Sequence, residues 1–490
     1  MTDFAKFAGC PYFYNDVITV DYILPDIVNP QNPQLLPALR TVYTDSYDNA
    51  RKLIGNSRFG LASSAEEAFK SALLAIALAP KKHRSLYDDK EYREFKSQES
   101  KVRELAAKCF SFAPEQPEYY YIFGLLYLKL GAIEEGVKLL EEALKKKPDL
   151  ARVHVALALI YTICEDWEQG YIHALAARNA GLEIQADLMT LCLFACAVKT
   201  GQNYPGKIRL DSQSPGYKYS IQDALEFFPK LEGELDHSGH DRKIIMAPSD
   251  VGYFFQHTLA LACSLEKNDP DSALHINLCN PTDEALATIE KMRARFTGIK
   301  IFLSTEQVDY RDFISPGYYL SAVRDVRLYQ LMKQNNHRFI RLDVDSLIVK
   351  PLGKTGKLFD KNIILTTSQA VALPYWERLI NGLKSVKKSA ESLKFMEELT
   401  LLIFDNFRHK SHLWFLDQVY MVYLYDKYKN QFPIGQFPIG VVDSADYMDL
   451  LHSEISAIWT VTRDKAGAAK YLRKKHALLR EYGFEEYIDA

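Results

Sequence analysis

The chain has 490 residues, enough for roughly two to four domains, and its 48% hydrophobic and 25% charged residues are ordinary for soluble globular protein. A formal net charge of −3 supplies no basic field that would ask for nucleic acid. Seven cysteines, mostly set in apolar helical patterns, fit buried, reduced thiols in a cytoplasmic compartment and argue against a disulfide framework.

The first residues, Met1-Thr2-Asp3-Phe4-Ala5-Lys6-Phe7, lack a basic region followed by an apolar run, so no signal peptide is expected. No apolar stretch of about 18 residues occurs, so no membrane span is expected. Residues 1–60 read as an irregular lead-in with one or two helices, broken by Pro25, Pro30, Pro33 and Pro37, with the aromatic run at Tyr12, Phe13 and Tyr14 needing burial.

Over 61–200 a repeat emerges. Pro80, Pro114 and Pro148 recur every 34 residues. Five residues before each stand Ala75, Cys109 and Ala143, and twelve before stand Ala68, Val102 and Gly136. Small residues let paired antiparallel helices approach closely, and a proline ends the second helix of each pair. One such hairpin cannot bury its own apolar face, so several must stack. The unit Tyr120…Phe123-Gly124…Tyr127…Gly136…Leu140…Ala143…Pro148 resembles a tetratricopeptide repeat. The unit before it is degenerate, with Lys90 where a small residue belongs. The unit after it keeps Leu157-Ala158, Tyr161, Gly170, Ala174 and Ala177 but carries Leu182 in place of the proline. A helix over about 184–199 continues the array, and Cys192 and Cys196 on it read as core packing.

Residues 201–240 read as a connector. Tyr204-Pro205-Gly206 through Ser214-Pro215-Gly216 is turn-rich, Ile221 to Leu235 looks helical, and Asp236-His237-Ser238-Gly239-His240-Asp241 is a polar hinge read as solvated linker.

From 241 to 490 the periodicity changes to alternating strand and helix. Strands are expected at Lys243–Ala247, Ala273–Leu278, Lys300–Ser304, Arg338–Leu342 and Asn362–Thr366. Helices are expected at Phe254–Glu266, Glu284–Phe296 and Tyr318–Gln334. This order implies a mainly parallel sheet covered on both faces, whose ligands sit outside the carboxyl ends of the strands. Asp250, Asp343 and Asp345 all fall there. If Leu342-Asp343-Val344-Asp345 is extended, its two carboxylates share a side, as donors for Mn²⁺ or Mg²⁺.

The stretch from Asp241 to about Gly467 resembles a GT-A glycosyltransferase domain, most like the glycogenin and bacterial galactosyltransferase group. Ser249-Asp250-Val251-Gly252-Tyr253-Phe254, Tyr318-Tyr319-Leu320-Ser321-Ala322-Val323-Arg324, Leu342-Asp343-Val344-Asp345, Trp414-Phe415-Leu416-Asp417-Gln418 and Ile458-Trp459-Thr460 carry the resemblance, in order. The whole chain then reads as α followed by α/β: a tetratricopeptide-like array, then a Rossmann-like GT-A domain with a mainly parallel sheet. The resemblance implies a nucleoside-diphosphate sugar as donor, bound by Asp250, Tyr253, Arg324 and Asp343. It implies a metal on Asp343 and Asp345, and Asp417 with Gln418 at the transferred sugar. Arg463 and Lys465 could screen the diphosphate, or equally begin the exposed basic helix at Tyr471-Leu472-Arg473-Lys474-Lys475. Related enzymes often place a histidine ligand just after the tryptophan. Here Thr460 follows Trp459, and the nearest histidine is His452, which would complete the metal site from a shifted position.

Each residue has a plainer reading. Asp250 and Asp417 could cap the helices that follow them. Arg324, Asp325 and Arg327 could form a salt-bridged helix surface, and Asp405, His409 and His412 read as surface. The duplicated Gln431-Phe432-Pro433-Ile434-Gly435 and Gln436-Phe437-Pro438-Ile439-Gly440 read as a loop flanking a strand. The expected function is a metal-dependent glycosyltransferase whose protein or glycan acceptor docks on the repeats. The alternatives are a non-catalytic repeat-containing binding protein with an inactive GT-A domain, and a nucleotidyl- or phosphotransferase using the same acids.

Overall fold

The structure, a computed structural model, describes residues 2, 31–44, 47–79, 90–181, 186–202, 219–239, 242–313, 315–352, 359–367, 373–409, 415–437, 441–444, 456–460 and 469–488. The aromatic run at Tyr12–Tyr14, Pro80, Leu182, the two proline turns of the connector, His240, His412, Trp414, His452, Arg463 and Lys465 lie outside them. The chain divides into two compact units, Met1–Asn203 with Ala370–Tyr375, and Tyr204–Gln369 with Trp376–Ala490. Among the described residues no helix is long and apolar enough to cross a membrane.

The first unit is helical: α1 (Leu35–Thr44), α2 (Tyr47–Asn56), α3 (Ser63–Leu78), α4 (Lys90–Ser97), α5 (Glu99–Phe112), α6 (Pro117–Leu130), α7 (Ile133–Lys146), α8 (Ala151–Ile163), α9 (Trp167–Asn179) and α10 (Ala186–Thr200). Pro114 and Pro148 each stand two residues beyond a helix end, α5 and α7, where a ring that blocks helical continuation belongs. Pro117 opens α6 and Gly131, at φ 84°, closes it. α7 carries Glu134 and Glu135 in its first turn and Lys145 and Lys146 in its last, charges that suit the helix dipole.

The small residues set the helix spacing. A Cβ on Gly136 would lie 2.8 Å from the Gly124 carbonyl oxygen and 2.8 Å from Leu128 Cγ, so α6 and α7 meet backbone to backbone. A Cβ on Gly170 would lie 2.7 Å from Cys196 Sγ. Cys192 and Cys196 are both fully buried. Gly136→Ala is expected to lower stability by about 1–3 kcal/mol through overpacking. An unchanged thermal midpoint would show that the helices separate freely.

The second unit is built on a mixed, mostly parallel sheet. In chain order come α11 (Ile221–Phe227), β1 (Glu232–Gly233), β2 (Ile244–Asp250), α12 (Val251–Tyr253), a π-helical turn at Phe254–Thr258, α13 (Leu259–Asn268), β3 (Ala273–Cys279), α14 (Asp283–Arg295), β4 (Lys300–Glu306), α15 (Pro316–Gln334), β5 (Arg338–Leu342), β6 (Leu347–Ile348), β7 (Ile363–Thr367), β8 (Leu379–Lys387), α16 (Ala390–Arg408), α17 (Leu416–Tyr428), β9 (Ile434–Gln436), β10 (Val442–Ser444), β11 (Ile458–Thr460) and α18 (Ala469–Glu481). The large sheet runs β1-β4-β3-β2-β5-β8-β7-β9, and a small one runs β10-β11-β6. β2, β3, β4 and β5 pair in parallel, while β8 lies antiparallel to both β5 and β7.

Several sequence expectations change here. The helix begun at Ile221 stops at Phe227, because Pro229 follows, and β1 then adds an edge strand on β4. His237 is fully buried rather than solvated. Its Nε2 lies 2.9 Å from His275 Nδ1, and His275 Nε2 lies 2.8 Å from Ser304 Oγ. Burial, reinforced by His237, pushes the His275 imidazole down to about 3. Asp405 is buried within α16, 3.4 Å from Arg408 and 3.5 Å from His409, so it is not surface. The junction of the two pentapeptide copies, Ile434-Gly435 of the first and Gln436 of the second, forms β9 itself, parallel to β7.

Candidate active site

β2 lies between β3 and β5. From β2 the chain winds outward through β3 and β4, then returns to the other side of β2 as β5. Such a reversal of strand order opens a crevice at the carboxyl ends of the two strands. Asp250 ends β2 and Asp343 directly follows β5.

Asp250 caps the helix after it: its Oδ1 accepts from Tyr253 N–H at 2.8 Å. Tyr253 is an exposed aromatic side chain. The segment after β5 is not extended. Ser346 N–H donates to the Asp343 carbonyl at 3.1 Å, closing a turn. Val344 enters the core cluster, and Asp343 and Asp345 stay half-buried on either side of it. The turn, rather than strand alternation, therefore sets where the two carboxylates lie. Its ends are fixed by Asp343 N–H donating to the Gly382 carbonyl at 2.9 Å and Val349 N–H to that of Ala457 at 2.9 Å. Asp345 charge, after burial, contributes to holding the Tyr471 phenol above its usual range.

A buried polar cluster surrounds Asp343. Arg324 of α15 donates Nη1–H to Asp343 Oδ1, and its Nη2 lies 3.5 Å from Asp417 Oδ2. Arg341 of β5 donates Nη1–H to the same Asp343 oxygen at 3.4 Å and Nη2–H to Asn381 Oδ1 at 2.5 Å. Asn381 gives its amide N–H to Asp417 Oδ2 and, at 3.3 Å, to Asp325 Oδ2. Asp325 is paired by Lys384 Nζ at 2.6 Å. Gln418 Oε1 accepts from Asn381 N–H at 3.0 Å. Asp417 lies inside α17, whose cap position is Phe415, so it does not cap the helix.

The electrostatics follow from crowding charges out of water. Burial opposes the Arg324 charge, but Asp343, Asp417 and Asp325 together hold the guanidinium above its ordinary range. Burial and then Arg324 lower Arg341 to about 10. Burial pushes the Lys384 ammonium down to about 7 against the pull of Asp325. Burial alone would raise the Asp325 carboxyl, but Lys384, Arg341 and Arg324 hold it below the usual carboxylate range.

β8 carries the part of this site that sequence reading passes over. Leu365 of β7 pairs with Lys384, but the next residue, Thr366, pairs with Ile380. Asn381, Gly382 and Leu383 therefore bulge from the β7 ladder, and Thr366 Oγ1 donates to the Leu383 carbonyl at 2.8 Å. A bulge re-aims side chains, and this one carries Asn381 between Arg341 and Asp417. Asn-Gly is the residue pair of a tight hairpin turn, which disguises the strand; its signal is the apolar residues on both sides. The charged stretch of α15 is also not a surface, since Asp325 and Arg327 are fully buried.

Asp343 and Asp345 carry carboxylate oxygens, the donor type that hard divalent cations take. Asp343 commits Oδ1 to two arginines, while Oδ2 sits over Gly382, where a Cβ would come within 2.7 Å of it. Among the described residues no group of three His, Cys, Asp or Glu side chains gathers.

No family model matches the chain, and no curated protein matches it. Solved structures similar to it include the glycosyltransferase GlyE of Streptococcus pneumoniae TIGR4 (13% identity, TM-score 0.35, 51% of this chain and 64% of that chain). They also include the galactosyltransferase LgtC in complex with donor and acceptor sugar analogs (14%, 0.33, 49% and 99%) and the bifunctional glycosyltransferase WbbM (10%, 0.36, 82% and 82%). The chain thus spans less than two thirds of GlyE.

Proposed function

We propose that the second unit transfers a sugar from a nucleoside-diphosphate sugar to an acceptor. The observation that supports this reading is the gathering of Arg324, Asp343, Asn381 and Asp417 at the carboxyl end of β5, beside the switch point of the sheet. Asp343 and Asp345 would hold Mn²⁺ or Mg²⁺, which when bound supplies positive charge against the leaving diphosphate. Arg324 reaches toward the donor while steadying Asp343. Its Nε is buried with no hydrogen-bond partner among the described residues. Asp417, when ionised, can only accept hydrogen bonds, so it orients a sugar hydroxyl or takes up the acceptor proton. His452, Arg463 and Lys465 would join from outside the described residues, and Tyr253 offers a face to the nucleoside.

The helical unit would recruit a protein or glycan acceptor through a stacked, tetratricopeptide-like surface. The test is a panel of nucleotide-sugars with Mn²⁺, scored for nucleoside diphosphate. Release that disappears in Asp345→Ala supports the reading. Pyrophosphate release would replace it with nucleotidyl transfer, and donor binding without turnover would replace it with a binding role.

Gly382→Ala bears on the same geometry. The added methyl must displace the Asp343 carboxylate, and a misplacement of about 1 Å costs about 10²-fold in rate. Nucleoside diphosphate release is expected to fall by that order with the urea midpoint nearly unchanged. Full activity in Gly382→Ala would dissociate Asp343 Oδ2 from the reaction.

A further inference from the structure

We propose that Asp325 and Lys384 are positioning residues, a buried ion pair that fixes how Asn381 and Arg341 are presented to Asp417 and Asp343; the proposal rests on the glycosyl-transfer reading of that site. The two side chains are 0% and 1% exposed and 2.6 Å apart. Asp325 Oδ1 also lies 3.5 Å from Arg341 Nε, and Asp325 Oδ2 accepts from Asn381. Asn381 is therefore bounded by donors on one side and acceptors on the other. Its oxygen faces Arg341, which can only donate, and its NH₂ faces Asp325 and Asp417, which as carboxylates can only accept. The amide can sit only one way round.

The same connections show what removing Lys384 does. Asp325 would lose its nearest cation while remaining in a site where an uncompensated charge is strongly disfavoured. The cation best placed to replace it is Arg341, 3.5 Å away. Drawing that guanidinium inward lengthens its 3.4 Å contact with Asp343 and its 2.5 Å contact with Asn381. The reacting groups themselves stay in place chemically, so the loss is one of arrangement.

The experiment uses the full chain and the donor that the nucleotide-sugar panel identifies. Lys384→Met and Asp325→Asn are expected to lower kcat by about 10- to 100-fold with KM nearly unchanged, and Lys384→Arg is expected to recover most of it. Retained kcat in Lys384→Met, a loss confined to KM, or no recovery in Lys384→Arg overturns the proposal. Should the single variants not fold, the double variant Asp325→Asn/Lys384→Met removes both charges, and wild-type kcat in it overturns the proposal equally. If the wild type turns over no donor, the glycosyl-transfer reading fails by itself. Positioning is then decided by the crystal structure of Lys384→Met or of the double variant: an Asn381 amide turned off Asp417 supports it, and an unmoved one overturns it.

Discussion

Asp417→Asn is expected to slow nucleoside diphosphate release by about 10²–10⁴-fold, the range for loss of a positioned acid–base group. Asp417 is 4% exposed. Its Oδ2 accepts from the Asn381 amide and faces Arg324 Nη2 at 3.5 Å. An asparagine keeps the shape but brings an NH₂ group into a ring of donors, so at least one buried donor loses its acceptor. That mismatch costs about 1–3 kcal/mol of stability, well short of unfolding a protein of ordinary stability. Rate and urea midpoint measured on one preparation separate the two effects. A variant that cleaves donor at the wild-type rate would take Asp417 out of the chemistry altogether.

The second large effect concerns the fold. Arg327 of α15 and Glu306 of β4 form an ion pair with both side chains wholly buried. Glu306 also accepts from Tyr319 O–H at 2.5 Å and from Cys279 Sγ–H at 3.3 Å, and Arg327 donates to the Pro229 carbonyl at 2.8 Å. Glu306→Gln leaves a guanidinium in the interior without its counter-charge. Breaking such a pair from one side costs about 3–5 kcal/mol. The urea midpoint of the second unit is expected to fall accordingly. Glu306→Met/Arg327→Met should recover much of the loss, because it leaves no charge to solvate. A midpoint unmoved by Glu306→Gln would mean that water reaches Arg327.

How far these features could be read in the sequence depended on what each residue's neighbours are. β5 and the helices after β3 and β4 were legible because apolar periodicity is local: Arg338–Leu342 has the bounds expected, and the helix expected at Tyr318–Gln334 runs Pro316–Gln334. Arg324, Asp343 and Asp417, which the structure brings into contact, stood in the sequence as a motif series with Asp345, though the turn at Val344 was not legible, since a valine faces away from its flanking acids in a strand as readily as in a turn. β8 was hidden by its own polar residues. Asn381 and Lys384 look like turn and surface until Asp325, 56 and 59 residues earlier, is folded against them. Arg327 misled in the same way, because its partner Glu306 lies 21 residues back on another element.

β8 enters the sheet antiparallel, between β5 and the already synthesised β7. On a ribosome, the free edge of β5 must therefore wait for β8, whose Asn381 comes 40 residues after Arg341, before it is covered. A nascent chain halted between those two points would expose the open edge of β5, the kind of surface that chaperones hold. Biogenesis of this protein should be most sensitive to translation speed over that interval.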